Sequence, residues 1–240
     1  MQGAGERRNP LRSGGKRARI GGDDFTPAET QAQMAYRIIE EMIVTMRLAP
    51  GSLISEKSMS TLLGIGRTPI REALQRLAFE GTVRILPRAG VIVSEIDMAD
   101  QLKLIEVRRE IEKILAGRAA RLADSKTRAA FLRLAAEFER AAQERDEKIF
   151  IAADREFNGL LIATAQNNYA AHAIGPIDAQ TRRFWYLHFE RFGDLQRVCD
   201  LHARVARAIA ANDESAARKA SDDLLDYVEW YTQRTLDAMR

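Results

Sequence analysis

The sequence predicts a mostly α-helical protein in two parts. Three helices and a β-hairpin occupy 25–95, and an all-α antiparallel bundle of six to seven helices occupies 96–240. Three observations predict it. Ala, Leu, Arg and Glu abound while prolines number only 6, a composition that favours helix. Beyond about Asp97 the apolar residues recur with a helical period. Between 82 and 96 Val83, Ile85, Val91 and Val93 instead alternate with other residues around a Pro-Arg-Ala-Gly tip, the mark of a two-stranded hairpin.

Taken in order, residues 1–24 are rich in Gly and Arg, lack apolar periodicity, and read as a disordered basic arm. A first helix over about 29–46 carries Met34, Ile38, Met42 and Ile43 at helical spacing, and "APGS" (49–52) stops it. Ser55 reads as the N-cap of a short helix through Leu63, ended by Gly64. "RTPIREALQRLAFEG" (67–81) forms a third helix closed by Gly81, with Pro69 in the first turn, where its missing N–H does no harm. After the hairpin, helices are expected near 97–122, 126–145, 147–166, 169–190, 194–211 and 213–237. Breaks such as "QNN", "RFGD" and "AND" separate them.

The bulk numbers bound the function. An apolar fraction of 46% with 30% charged residues is ordinary for a soluble globular protein. No apolar run approaches the roughly 18 residues that span a bilayer, and no apolar signal region is visible, so a cytoplasmic protein without a membrane partner is expected. Cys199 is alone, which excludes an internal disulfide, fits a reducing compartment and reads as a buried, inert thiol. Charge is uneven: residues 1–95 carry 14 basic and 10 acidic side chains, and 96–240 carry 23 and 24. The basic excess lies in the first part, where a polyanion would be met.

A helix, a short helix, a third helix after a tight turn and then a hairpin is the order of a winged helix-turn-helix, whose third helix enters the major groove of DNA. Arg67 and Arg71 lie four apart near the N-terminal end of that helix, opposite an apolar stripe of Ile70, Leu74 and Leu77. Arginine can bond guanine bidentately or hold phosphate. Arg88 sits at the hairpin tip, within reach of flanking backbone. Each arginine alone reads as a solvated face; together with the turn and the wing they point to double-stranded DNA.

These residues carry a family resemblance. "LAPGSLISEKSMSTLLGIGRTPIREALQRLAFEGTVRILPRAGVIV" closely resembles the DNA-binding domain of the GntR superfamily of bacterial repressors. The shared features are Pro50, Gly51 and Leu53, the run from Ile65 to Leu74, Glu80-Gly81, and Gly90 at the wing. The resemblance implies operator contacts by Lys57, Arg67, Thr68, Arg71, Arg88 and Gly90. Gly66 departs from the family's usual Ser or Thr, so a hydroxyl contact to phosphate is in doubt there.

The helical remainder resembles, more loosely, the FCD effector domain of the FadR subfamily, and so 96–240 is expected to bind effector and dimerise. "LIEVRREIEKILAGRAA" (104–120) carries Arg108 and Glu112 in signature positions. "DREFNGLLIATAQN" (154–167) matches at Asp154, Phe157, Leu161 and Asn167. Asp154 and Asn158, four apart on one helix, share a face. Many such domains hold a divalent metal with one Asp and three His. Carried over by position, Asp154 matches the Asp and His202 the second His, while Asn158 and Leu224 stand where the other two His are expected. Asn and Leu cannot replace imidazole donors. The reading preferred here keeps the pocket without its metal: Asp154, Asn158 and His202 bond an organic effector directly, with Arg108 facing a carboxylate. An open three-ligand metal site of Asp154, Asn158 and His202, completed by water or effector, is the disfavoured alternative, and a merely structural polar network is the third. No cofactor is otherwise expected. Trp185, Tyr186 and Phe189 on one helix read as core or dimer contact rather than effector box.

The function expected from this reading is a homodimeric repressor on a palindromic operator, controlled by a small-molecule effector, an organic acid. An enzyme is not expected, because no nucleophile–base pair, Gly-rich phosphate loop or full metal constellation is present. A sequence-neutral architectural DNA binder is the remaining rival.

Overall fold

The structure, a computed structural model, describes residues 29–239. The expected basic arm at 1–24, and residues 25–28, lie outside the described residues. The helix α1 (Gln31–Val44) starts at a capping box in which Thr30 and Gln33 bond each other's backbone N–H. Its buried face of Ala35, Ile39 and Ile43 packs on α3 (Arg67–Phe79), whose Ile70, Leu74 and Leu77 are almost fully enclosed. Between them, α2 (Glu56–Leu63) is capped by Ser55 and ends at Gly64, whose φ of 64° is the left-handed conformation that glycine adopts without strain.

The sheet has one strand more than the sequence predicts. The strands β2 (Val83–Leu86) and β3 (Gly90–Val93) form the expected hairpin, but β1 (Leu53–Ile54) pairs antiparallel with β3, giving the order β1-β3-β2. Two residues carry no periodicity to read. Partnership with β3, extended by bonds between Gly51 and Val93 and between Val93 and Ser52, decides their state. The same pairing explains Gly90. A β-carbon there would come within 3.0 Å of the Ile54 carbonyl, at a φ of 107° that other residues resist.

The remaining helices are α4 (Met98–Leu122), α5 (Ser125–Glu144), α6 (Glu147–Ala165), α7 (Asn168–Phe192), α8 (Leu195–Ala210) and α9 (Glu214–Ala238). Arg109 at the middle of α4 bonds Asp222, Asp226 and Glu229, and Arg121 near its end meets Glu214, so α4 and α9 run antiparallel. Helix ends are tied by side chains: Arg118 donates to the Ala165 and Gln166 carbonyls that end α6, and Arg128 to the Ala210 carbonyl that ends α8. The core is aromatic and alanine-rich, centred on Phe131, Phe138, Phe157 and Tyr227. Emptying the fully buried Phe138 site would cost about 3–5 kcal/mol.

The two parts meet along α7. Its Gln180 donates to the Glu80 carbonyl after α3, its Arg182 pairs with Glu40 and Glu41 on α1, and its Arg183 donates to the Ser94 carbonyl beyond the wing. A second tie joins Arg155 on α6 to Glu41.

Candidate DNA-reading surface and effector cavity

Arg67 is the first residue of α3 and Arg71 lies one turn on, with side chains 65% and 55% exposed. The buried stripe of Ile70, Leu74 and Leu77 turns this face outward. Thr68 and Lys57 are also exposed. Gly66 caps α3 with no side-chain bond to a first-turn N–H. Arg88 stands at the wing tip with a φ of 64°, unusual for a residue with a β-carbon. One acid shares this surface: Glu56, at the start of α2, accepts from Arg71 at 2.7 and 2.8 Å and from Arg67 at 3.4 Å. These bonds hold its carboxyl below the usual range, the Arg71 hydrogen bond most of all. Glu56 falls inside the quoted sequence motif, but only the fold shows that its carboxylate reaches both arginines across 11 and 15 residues.

The second site is a cavity of about 60 Å³. It gathers Arg108 from α4, Asp154 from α6 and His202 from α8, residues far apart in sequence. Asn158 does not line it; its amide donates to the Asp154 carboxylate at 3.2 Å and holds that group from behind. Apolar walls come from Phe150, Val198, Phe184 and Val228. Of the α7 aromatics read as core or dimer contact, Phe189 is buried in the core and Trp185 packs on it at 4.1 Å between ring centres, while Trp185 and Tyr186 also line the cavity. A helix that faces both bundle and cavity presents one stripe to two environments, which spacing does not distinguish.

His202 is enclosed by the rings of Phe138, Phe150 and Phe157. Its Nδ1 lies 2.8 Å from the Val198 carbonyl, which can only accept, so Nδ1 carries a hydrogen. Its Nε2 lies 3.2 Å from Oδ1 of Asp154. In that tautomer a neutral ring turns its Nε2 lone pair towards the carboxylate. Burial alone would raise the Asp154 carboxyl, but the bond to His202 and the charges of Arg182 and Arg108 outweigh it and hold the group low.

The donor set does not fit the family's metal. Asp154 and His202 remain, Asn158 is spent on Asp154, and Leu224 is buried in hydrocarbon. Among the described residues no three His, Cys, Asp or Glu side chains come together as a cation site.

Arg108 lines the cavity, but its Nε bonds Glu112 at 2.5 Å and its Nη2 lies 3.8 Å from Asp178. Burial pushes the Asp178 carboxyl up to about 6; Arg108 and Arg182 oppose the shift, and Asp154 and Glu112 add to it. Arg182 is the second cation of the cavity, and its pairs with Glu40 and Glu41 are looser, at 3.3 and 3.8 Å. The Tyr231 hydroxyl at the wall makes no hydrogen bond of ordinary geometry. Sequence alone gives no role to Arg182 or Tyr231, nor to Glu41, Val44 and Thr45, which close the cavity from α1. Arg182 had a signal, a basic residue beside the aromatic stripe. The α1 residues had none, because only the docking of the two parts brings them there.

Cys199 is buried, and desolvation pushes its thiol up to about 12, so it stays protonated and inert. No helix among the described residues is long and apolar enough to cross a membrane.

Comparison with known proteins agrees with this architecture. Residues 31–93 match the model of bacterial regulatory proteins of the gntR family, and residues 103–227 match that of the FCD domain. The chain is similar to the HTH-type transcriptional repressor RspR of Escherichia coli K12, at 30% identity over 82% of this chain and 86% of that protein. It is also similar to the gluconate operon transcriptional repressor of Bacillus subtilis, at 23% identity over 88% and 91%. Among solved structures, E. coli McbR/YncC superposes with a TM-score of 0.74 at 16% identity, covering 88% of this chain and 99% of that one, a likeness of fold. The gntR match over residues 31–93, the FCD match behind it and the likeness to named repressors lead to one conclusion: the chain belongs to the gntR family of bacterial regulatory proteins, with an FCD domain, and is a transcriptional regulator.

Proposed function

We propose that the protein is a repressor that binds a palindromic operator as a homodimer and is released from it by a small organic acid held without metal in the α1-walled cavity. One observation carries this reading: the cavity is walled by the reader's own helix α1 as well as by α4 and α6–α9. A ligand shifts an equilibrium only if it binds one arrangement better than the other. At about 60 Å³ the cavity is far smaller than the roughly 300–1,000 Å³ of ordinary ligand sites. A molecule of more than a few atoms therefore fits only if α1 moves away, and that displacement supplies the difference in affinity. Arg182, with its longer and exchangeable pairs, is the cation to meet a carboxylate; Arg108 is closed by Glu112 and orients it from behind. His202, Asp154 and the Tyr231 hydroxyl supply polar partners. Lys57, Arg67, Thr68, Arg71 and the wing at Arg88 and Gly90 meet the DNA.

A second copy is supported by α4. Val107, Ile114 and Leu122 lie on it at spacings of seven and eight, and they are 51%, 41% and 40% exposed. An isologous pairing on this stripe would present two α3 helices to the half-sites of an inverted repeat.

The test is a gel-shift titration on duplexes recovered by selection from a randomised library, with and without a panel of small mono- and dicarboxylic acids, alongside sedimentation of the free protein. The reading predicts a dimer, an inverted-repeat motif, and at least one acid that weakens binding while raising the melting temperature. A monomer on a single half-site, or metal-dependent release unaffected by any acid, would sink it.

A further inference from the structure

We infer that Glu56 is a specificity-determining residue of the DNA reader: it holds Arg71 by one edge of the guanidinium so that the other edge can only meet a base. The inference rests on Arg71 facing DNA, as proposed above, and extends it to a residue that acts through Arg71.

A guanidinium has two forks. The side-on fork is made of Nε and one Nη, and the end-on fork of the two Nη atoms. Here the side-on fork is occupied: Nε donates to Oε1 of Glu56 at 2.7 Å and Nη2 to Oε2 at 2.8 Å, a planar bidentate pair. Nη1 and the second hydrogen of Nη2 remain, forming the end-on fork directed away from Glu56. That fork matches the O6 and N7 acceptors of guanine. Arg67 adds one bond to the same Oε2 at 3.4 Å, so two exposed arginines of α3, Arg67 and Arg71, are gathered around one acid.

The placement is otherwise unfavourable. A carboxylate amid Lys57, Arg67 and Arg71 repels the phosphates that this surface must approach and so lowers affinity for every duplex alike. Its position in the first turn of α2 offsets part of that through the helix dipole, but that does not require two arginine partners. What the acid supplies is order. A free arginine fork swings and settles on phosphate as readily as on a base. A fork held on one side loses little rotational freedom on meeting guanine, and mismatches it when another base is present.

The experiment uses the full-length chain and a randomised duplex library. Wild type, Glu56→Gln, Glu56→Asp and Arg71→Ala are each taken through selection and sequencing, then titrated with the wild-type motif and with random duplex at several salt concentrations. The expected wild-type motif contains a guanine position that Arg71→Ala relaxes. Glu56→Gln should relax the same position, cutting the preference for guanine there by roughly 5- to 150-fold, the worth of one bidentate contact. It should leave random-duplex affinity unchanged or raised, with a steeper salt dependence. Glu56→Asp, which keeps the charge on a shorter arm, should fall between. Matched melting temperatures show that the isosteric amide folds. Three results overturn the inference: Glu56→Gln selecting the wild-type motif with undiminished discrimination, a uniform loss of affinity across all duplexes, or a wild-type motif without a guanine. If Arg71→Ala leaves the motif unaltered, the reading of Arg71 fails; if only Glu56→Gln does so, the role of Glu56 fails alone.

Discussion

Nε2 of His202 stands 3.2 Å from Oδ1 of Asp154, while the same ring donates from Nδ1 to the Val198 carbonyl. The relatives' metal is expected at such a pair, yet here Asn158 bonds Asp154 and Leu224 lies in the core. In the described structure Nε2 and Oδ1 face each other directly.

Restoring the two missing imidazoles should restore cation binding. The double variant Asn158→His, Leu224→His is expected to take up one Zn²⁺ per chain in calorimetry, confirmed by elemental analysis, while the natural sequence takes up far less. Without metal the variant should be less stable by about 2–5 kcal/mol, because an imidazole replaces a buried leucine. Tight stoichiometric Zn²⁺ binding by the natural sequence would defeat the metal-free reading.

Asp178 makes stability depend on pH. Its folded pKa of about 6 lies above the ordinary 3.8, so the folded state holds the proton more tightly than the unfolded one. Stability from this group is full below about 4, declines as pH rises towards 6, and stays reduced above it. Asp178→Asn should remove that decline. Its stability relative to wild type should improve by about 1–3 kcal/mol between pH 4 and 8, measured by urea unfolding at each pH. An unchanged difference across the range would refute the assignment.

Arg182 should govern how firmly α1 sits on the bundle. Its side chain is 15% exposed and that of Glu40 13%, so the pair is shielded enough to matter. Arg182→Gln is expected to cost about 1–3 kcal/mol and to speed amide exchange in α1 more than in α5, which does not touch the clasp. Equal exchange in both helices would argue against a local clasp.

Arg88 places charge and strain in one residue. Its φ of 64° costs about 1 kcal/mol that glycine would not incur. Arg88→Gly should therefore raise the melting temperature slightly while weakening binding to all duplexes and flattening the salt slope by about one ion. A gain in stability without loss of affinity would remove Arg88 from the DNA surface.

Much of the fold was legible in sequence because its signals are local. Ser55 and the glycines at 64 and 81 punctuate the reader, and each acts through its own backbone or that of a neighbour within three residues. The bundle helices followed from periodicity and lay within a few residues of their observed ends. β1 escaped, since a two-residue strand exists only through the partner that it finds. In the cavity, Arg108, Asp154 and His202 could be named from motif positions, and the structure gathers them. Asn158, by contrast, stands behind Asp154, and Arg182 holds the looser ion pairs.

Local chemistry, then, determined the order of elements and the outward arginines of α3, and the family resemblance marked Asn158 and Leu224 as departures from its metal ligands. Only the tertiary structure decided that α1 closes the cavity, that Glu56 takes Arg71 by one edge, and that His202 meets Asp154. Caps and periodicity act over one or two helical turns, and sequence carries them directly. Ion pairs between helices depend on how rigid bodies dock, and docking is set by the whole of the buried surface rather than by any stretch of it.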